Sequence, residues 1–132
     1  LGAPRMTRLL MILAALMAAS PAFAARDFRI GPERFAEAEI LDARAVASVD
    51  GMPVLMITLA ETAASRLHQL TLSMTGQPLP VLLNGKELTA PIVREPIAGG
   101  VLEISGLQDF RECERLAREI SGKDPVPDSL ED

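Results

Sequence analysis

The chain has 132 residues, of which 48% are hydrophobic, 23% charged and 3% aromatic, enough for one core and too apolar for a disordered chain. Acidic residues outnumber basic ones by 18 to 13, a net charge of −5, which argues against a nucleic-acid footprint and a polybasic membrane patch. With no Trp or Tyr, one Cys and one His, stacking platforms for bases or sugars are scarce, and a disulfide framework or a Cys/His zinc site is excluded.

Residues 1–24 read as an address. Position 1 is Leu, so residues 1–5 are set apart as an upstream extension of a start at Met6. Arg8 precedes an apolar run over 9–19, and the small-x-small triplet Ala22, Phe23, Ala24 follows Pro21. This is the pattern of a signal peptide cleaved between Ala24 and Ala25. An 11-residue run is too short to cross a bilayer core of about 30 Å. Cleavage removes Arg5 and Arg8 and leaves 11 basic and 18 acidic residues, a net charge of −7. The expected mature chain is periplasmic or secreted, with no stable membrane insertion.

Residues 54–60 form a β-rich run in which Leu55, Ile57 and Leu59 share one face and Val54, Met56 and Thr58 the other. Asp50-Gly51 ahead of it predicts a two-residue hairpin loop, with a paired strand over about 43–49. That register sets Arg44 opposite Ile57 on the core face, a conflict that a bulge near Arg44 would relieve. Residues 62–74 carry Ala63, Leu67, Leu70 and Met74 at helical spacing, with Gly76 placed to end the helix. Segments 79–83 and 86–90 flank Asn84-Gly85, a strong hairpin signal that pairs Leu83 with Lys86, Val81 with Leu88 and Leu79 with Ala90. Pro91 and Pro96 make the next stretch an edge or irregular crossing, and Gly99-Gly100 turns the chain into a strand over 101–105. Asp109, with Glu112 three residues on, caps a final helix burying Phe110, Cys113, Leu116, Ala117 and Ile120. Residues 121–132, rich in Pro and acids, read as an acidic disordered tail after a domain over 25–120.

The order strand, strand, helix, strand, strand, strand, helix predicts an α+β fold: a mainly antiparallel sheet with both helices on one face, related to the ferredoxin-like plan.

The run from Gly76-Gln77-Pro78-Leu79-Pro80 through Asn84-Gly85-Lys86 to Ala90-Pro91-Ile92-Val93-Arg94-Glu95-Pro96-Ile97, followed by Gly99-Gly100 and Ile104-Ser105-Gly106, resembles the head of the first periplasmic domain of SecD. The likeness extends over about 40–120 and includes Thr71 near the end of the first helix. SecD is a membrane subunit that assists protein export through the Sec translocon. The resemblance implies contact with polypeptide in the periplasm, with preproteins or Sec components as partners. Residues 25–132 hold no segment long and apolar enough to carry the family's transmembrane proton pathway.

With helices on one face of the sheet, the other would present Ala45, Ala47, Val54, Met56 and Leu82 among Thr58, Glu87 and Glu103. An apolar patch rimmed by polar groups suits a polypeptide, and Met adapts to varied partners. A modest exposed face or a homodimer contact is the plainer alternative. Arg94 and Glu95 read as a turn held by a local ion pair.

Catalysis finds little support. His68 lies off the apolar stripe of its helix and reads as a solvated histidine. Cys113, buried between two acids, should have a raised pKa and be inert. No nucleophile elbow, phosphate loop or calcium loop is present. We therefore expect no enzyme activity, no cofactor and no metal. Two readings remain: a polypeptide-binding accessory linked to export, and a structural or regulatory subunit docked on one fixed envelope partner.

Overall fold

The structure, a computed structural model, describes residues 26–127. The signal segment, its cleavage point at Ala24 and Ala25, and residues 128–132 lie outside them. Strands β1 (Phe28–Ile30), β2 (Glu33–Arg34), β3 (Ile40–Ala47), β4 (Pro53–Leu59), β5 (Val81–Leu83), β6 (Lys86–Thr89) and β7 (Val101–Ile104) accompany helices α1 (Glu61–Leu72) and α2 (Phe110–Ser121). The expected α+β class with antiparallel pairing and two helices is what the chain adopts. The strands divide into two sheets, ordered β2-β1-β5-β6 and β3-β4-β7.

The first two strands were not anticipated. Phe28 and Ile30 alternate with Arg29 over three residues, and β2 has only two, too short for a periodicity argument. β1 is nonetheless central, with β2 along its outer edge. Phe28 pairs with Leu83 and Ile30 with Val81, and Phe28, Ile30 and Phe35 are fully buried in one core with Leu55, Ile57, Leu67, Leu102, Leu116 and Ile120. Each such side chain contributes about 1.5–3 kcal/mol of burial.

The β3/β4 hairpin departs from the two-residue loop. The Ser48 N–H donates to the Met52 carbonyl and the Gly51 N–H to that of Ser48, so Val49, Asp50 and Gly51 form a three-residue loop. Pairing shifts by one: Ala43 faces Ile57, Arg44 faces Met56 and Ala45 faces Leu55. Arg44 thereby leaves the core face with no bulge beside it. The irregularity in the ladder falls between Ile40 and Asp42. Leu41 is the extra, exposed residue there, and skipping it returns Ile40 to the core opposite Leu59.

Asn84 (φ 52) and Gly85 (φ 83) both occupy the left-handed region, as a two-residue hairpin turn demands. Leu83 faces Lys86 as expected. Beyond Leu82 and Glu87 the ladder shifts, so Val81 faces Thr89, not Leu88, and Leu79 bonds through its N–H to Pro91, not Ala90.

α1 ends earlier than expected, at Leu72 with Ser73 as its cap. Asp109 accepts the Glu112 N–H at 2.8 Å and caps α2. α2 packs on β3 and β4 through Cys113, Leu116, Ala117 and Ile120. Phe110, expected inside, is 39% exposed: it continues the line of Cys113, Ala117 and Ile120, but it sits at the helix start, where residues 108–111 are all exposed. Ser121 belongs to α2, not to a tail, and the exposed residues 122–127 are tethered to β3 through Val126. No helix among the described residues is long and apolar enough to cross a membrane.

Candidate functional site

The five apolar positions expected to share an exposed face do not do so. The one-residue shift puts Ala45 and Ala47 opposite Leu55 and Pro53, on the face that carries Ala43; Ala45 packs against the core, while Ala47, at the strand's end, is exposed. Leu82 lies in the other sheet, opposite Arg29 and Glu87. Val54 does face away from the core beside Val46, yet it is only 6% exposed. Met56, half-buried, is the one of the five that stands partly open on the outer face of β3-β4-β7. Its row reads Arg44, Met56, Glu103 across the three strands, and the next row reads Asp42, Thr58, Val101.

β7 is an edge strand: it pairs with β4, and no strand among the described residues pairs with its other side. The Leu59 N–H donates to the Gly100 carbonyl at 2.8 Å. Antiparallel bonding alternates, so Leu102 and Ile104 direct their main-chain groups to β4, while Val101 and Glu103 direct theirs outward. Beside this open edge, residues 91–97 frame a groove of about 580 Å³, lined by Ile92, Val93, Ile97 and Val101 and flanked by Arg94, Glu95 and Glu103. An unpaired edge next to apolar pockets is the arrangement by which sheets accept an extended peptide as an added strand.

The groove wall is fixed from beneath. Thr71 is fully buried; its hydroxyl donates to the Leu67 and His68 carbonyls and accepts the Ile97 N–H at 2.9 Å. The Val93 N–H donates to the Gln77 carbonyl at 2.9 Å. These bonds, not an ion pair, hold the turn: Arg94 and Glu95 are both exposed and form no salt bridge with each other. The charged groups of the turn are thus available at the groove rim.

On the far side of the same sheet face, Arg44 Nε donates to Asp42 Oδ2 at 2.7 Å. Both side chains also hold the C-terminal segment. Asp42 Oδ1 accepts the Val126 N–H at 2.7 Å, and Arg44 Nη2 donates to the Val126 carbonyl. Burial acts to raise the Asp42 carboxyl pKa, but the Arg44 and Val126 hydrogen bonds and the charges of Arg44 and Lys123 outweigh it and hold the group below its ordinary value.

Cys113 is fully buried. Burial, reinforced by Glu112, Asp109 and Glu114, raises its thiol pKa, which suits packing and not nucleophilic attack. His68 is half-buried on α1. Among the described residues no group of three His, Cys, Asp or Glu is placed to hold a metal.

Sequence reasoning missed the β7 edge and the pairing of Asp42 and Arg44 with the C-terminal segment. The strand itself is legible over 101–105, but its open side is set by strand order in the sheet, and the second joins residues 84 apart and has no local signature.

The family model for the SecDF P1 head subdomain matches residues 28–122. Protein translocase subunit SecD of Acidaminococcus fermentans is 40% identical over 89 residues, covering 67% of this chain and 21% of that protein. Protein translocase subunit SecDF of Thermus thermophilus is 34% identical over 99 residues, covering 74% of this chain and 14% of that one. A crystal structure of SecDF in super-membrane-facing form aligns with a TM-score of 0.62 at 31% identity, over 69% of this chain and 12% of the other. A structure of SecDF described as a membrane component that enhances protein export gives the same score and identity, over 69% and 41%. The chain thus spans 21% or less of the length of these two curated relatives.

Proposed function

Because the chain belongs to the SecDF P1 head subdomain family, we propose that it is a non-catalytic protein-export accessory module that contacts extended polypeptide in the periplasm through the open edge of β7. The observation that carries this reading is the outward main-chain bonding of Val101 and Glu103 beside the groove at residues 91–97. An added strand would take its hydrogen bonds from β7 and place alternate side chains against Ile92, Ile97 and Val101. Main-chain bonding is indifferent to sequence, which fits a partner that changes with every exported protein. Met56, opposite Glu103, would extend the apolar contact onto the sheet face.

Two variants test the site. Glu103→Pro removes a main-chain N–H that the β4 ladder does not use, so the fold should survive while strand addition fails. Met56→Glu places a charge beside the same edge without entering the core. Binding is read by fluorescence anisotropy with reduced, carboxymethylated α-lactalbumin, a chain that cannot fold. Both variants should melt nearly as the wild type does and lose binding at least tenfold. If both remain folded and bind as before, the site lies elsewhere. A Met56→Glu protein that unfolds would place Met56 in the core. The fixed-partner reading would gain if no unfolded chain binds and one envelope protein is crosslinked in equal stoichiometry.

A further inference from the structure

The contact made by Asp42 and Arg44 has the chemistry of a receptor for peptide main chain. One carboxylate oxygen accepts the N–H of Val126 and one guanidinium nitrogen donates to the carbonyl of the same residue, while Val126 as a whole is 47% exposed. The recognition is of one residue's backbone, at both of its polar groups. The occupant is built for such capture: Val126 lies between Pro125 and Pro127. The following proline biases it to an extended conformation, and neither neighbour has an N–H, so it alone in the triplet offers both donor and acceptor.

A polypeptide that leaves the β7 edge across the same sheet face would reach this receptor. Asp42 and Arg44 share the outer face with Met56 and Glu103, and Arg44 stands directly across from Met56. From β3 to the β7 edge is two strand spacings, roughly 10 Å, the length of about three extended residues. We propose that Asp42 and Arg44 form a main-chain clamp for an extended polypeptide, and that the chain's own segment around Val126 fills it in cis until an external polypeptide displaces it. The proposal rests on the polypeptide-binding reading above and adds a second point of attachment and a built-in competitor. The ligand is any extended residue with a free N–H and carbonyl; a proline cannot take the place of Val126.

The test uses the whole chain and reduced, carboxymethylated α-lactalbumin. Val126→Pro deletes the N–H that Asp42 accepts, lies on the surface and leaves both clamp residues intact. It should tighten binding by about three- to tenfold, as expected when a competing closed state is removed. Arg44→Met should weaken binding in the wild-type background and abolish the gain from Val126→Pro, with thermal melts monitoring the fold. A measurement on the unaltered protein stands independently: the Val126 amide should be protected from hydrogen exchange in the free chain and lose that protection as the unfolded chain is titrated in. If the wild type binds the unfolded chain while Val126 stays protected, and Val126→Pro leaves affinity unchanged, the clamp is overturned and the β7 reading stands. If neither the wild type nor Val126→Pro binds it, both fall.

Discussion

Thr71 shows how one hydroxyl can govern a surface. The residue is fully buried; its O–H donates into its own helix and its oxygen accepts the Ile97 N–H. Thr71→Val keeps the shape and strands that N–H, which should cost about 1–3 kcal/mol. A lower urea midpoint together with faster exchange at Ile97 would establish the anchor; an unchanged midpoint with unchanged exchange would refute it. Asp42 gives a pH dependence of definite sign. Its folded pKa is depressed, so its contribution is fully present above the unfolded value of about 3.9 and is lost as pH falls through the folded one. The Val126 amide resonance should therefore hold steady from neutral pH to about pH 4 and move only in stronger acid. Movement near pH 6 would assign the contact to another group.

At the level of elements, what was legible was what local chemistry decides. Asn84-Gly85 demands positive φ at two successive residues, and the Asp109 cap announces α2. Gly85→Val should cost about 1–3 kcal/mol. A Cβ at Gly85 meets nothing within 4 Å, so the whole cost is conformational. A denaturant midpoint equal to that of the wild type would show that the turn relaxes. Asp50-Gly51 misled because the same pair serves two-residue and three-residue loops, and the choice depends on which register gathers Ala43, Leu55 and Ile57 on one side. That choice reassigns Ala45 and Ala47, and with them the candidate face. β1 and β2 escaped because so few residues carry no period; their place is set by Phe28 and Ile30 packing into a core assembled from distant segments. The β7 edge was hidden for a related reason, since the strand could be predicted but its unpaired side is a property of sheet order.

Across the whole molecule, two sheets and two helices share one core, so a small intrusion between layers should be felt widely. Gly100 tests this. It has φ 72, and a Cβ there would sit 2.7 Å from the Ala64 Cβ on α1. Gly100→Ala therefore combines backbone strain with overpacking and should destabilise by on the order of 2–5 kcal/mol, more than Gly85→Val. If chemical melts rank the two variants in the opposite order, α1 and the start of β7 are not in that contact. The Arg26 guanidinium donates to the Ile120 carbonyl at 2.9 Å through Nε and 2.6 Å through Nη2, so one side chain ties the segment before β1 to the last turn of α2. A pull applied between residues 26 and 120 bears on that fastening first, and bears on the two sheets only after it has parted. Behind this clasp the same two ends are also held by the core that Phe28 and Ile120 share, so its loss should loosen the ends before it disturbs the layers.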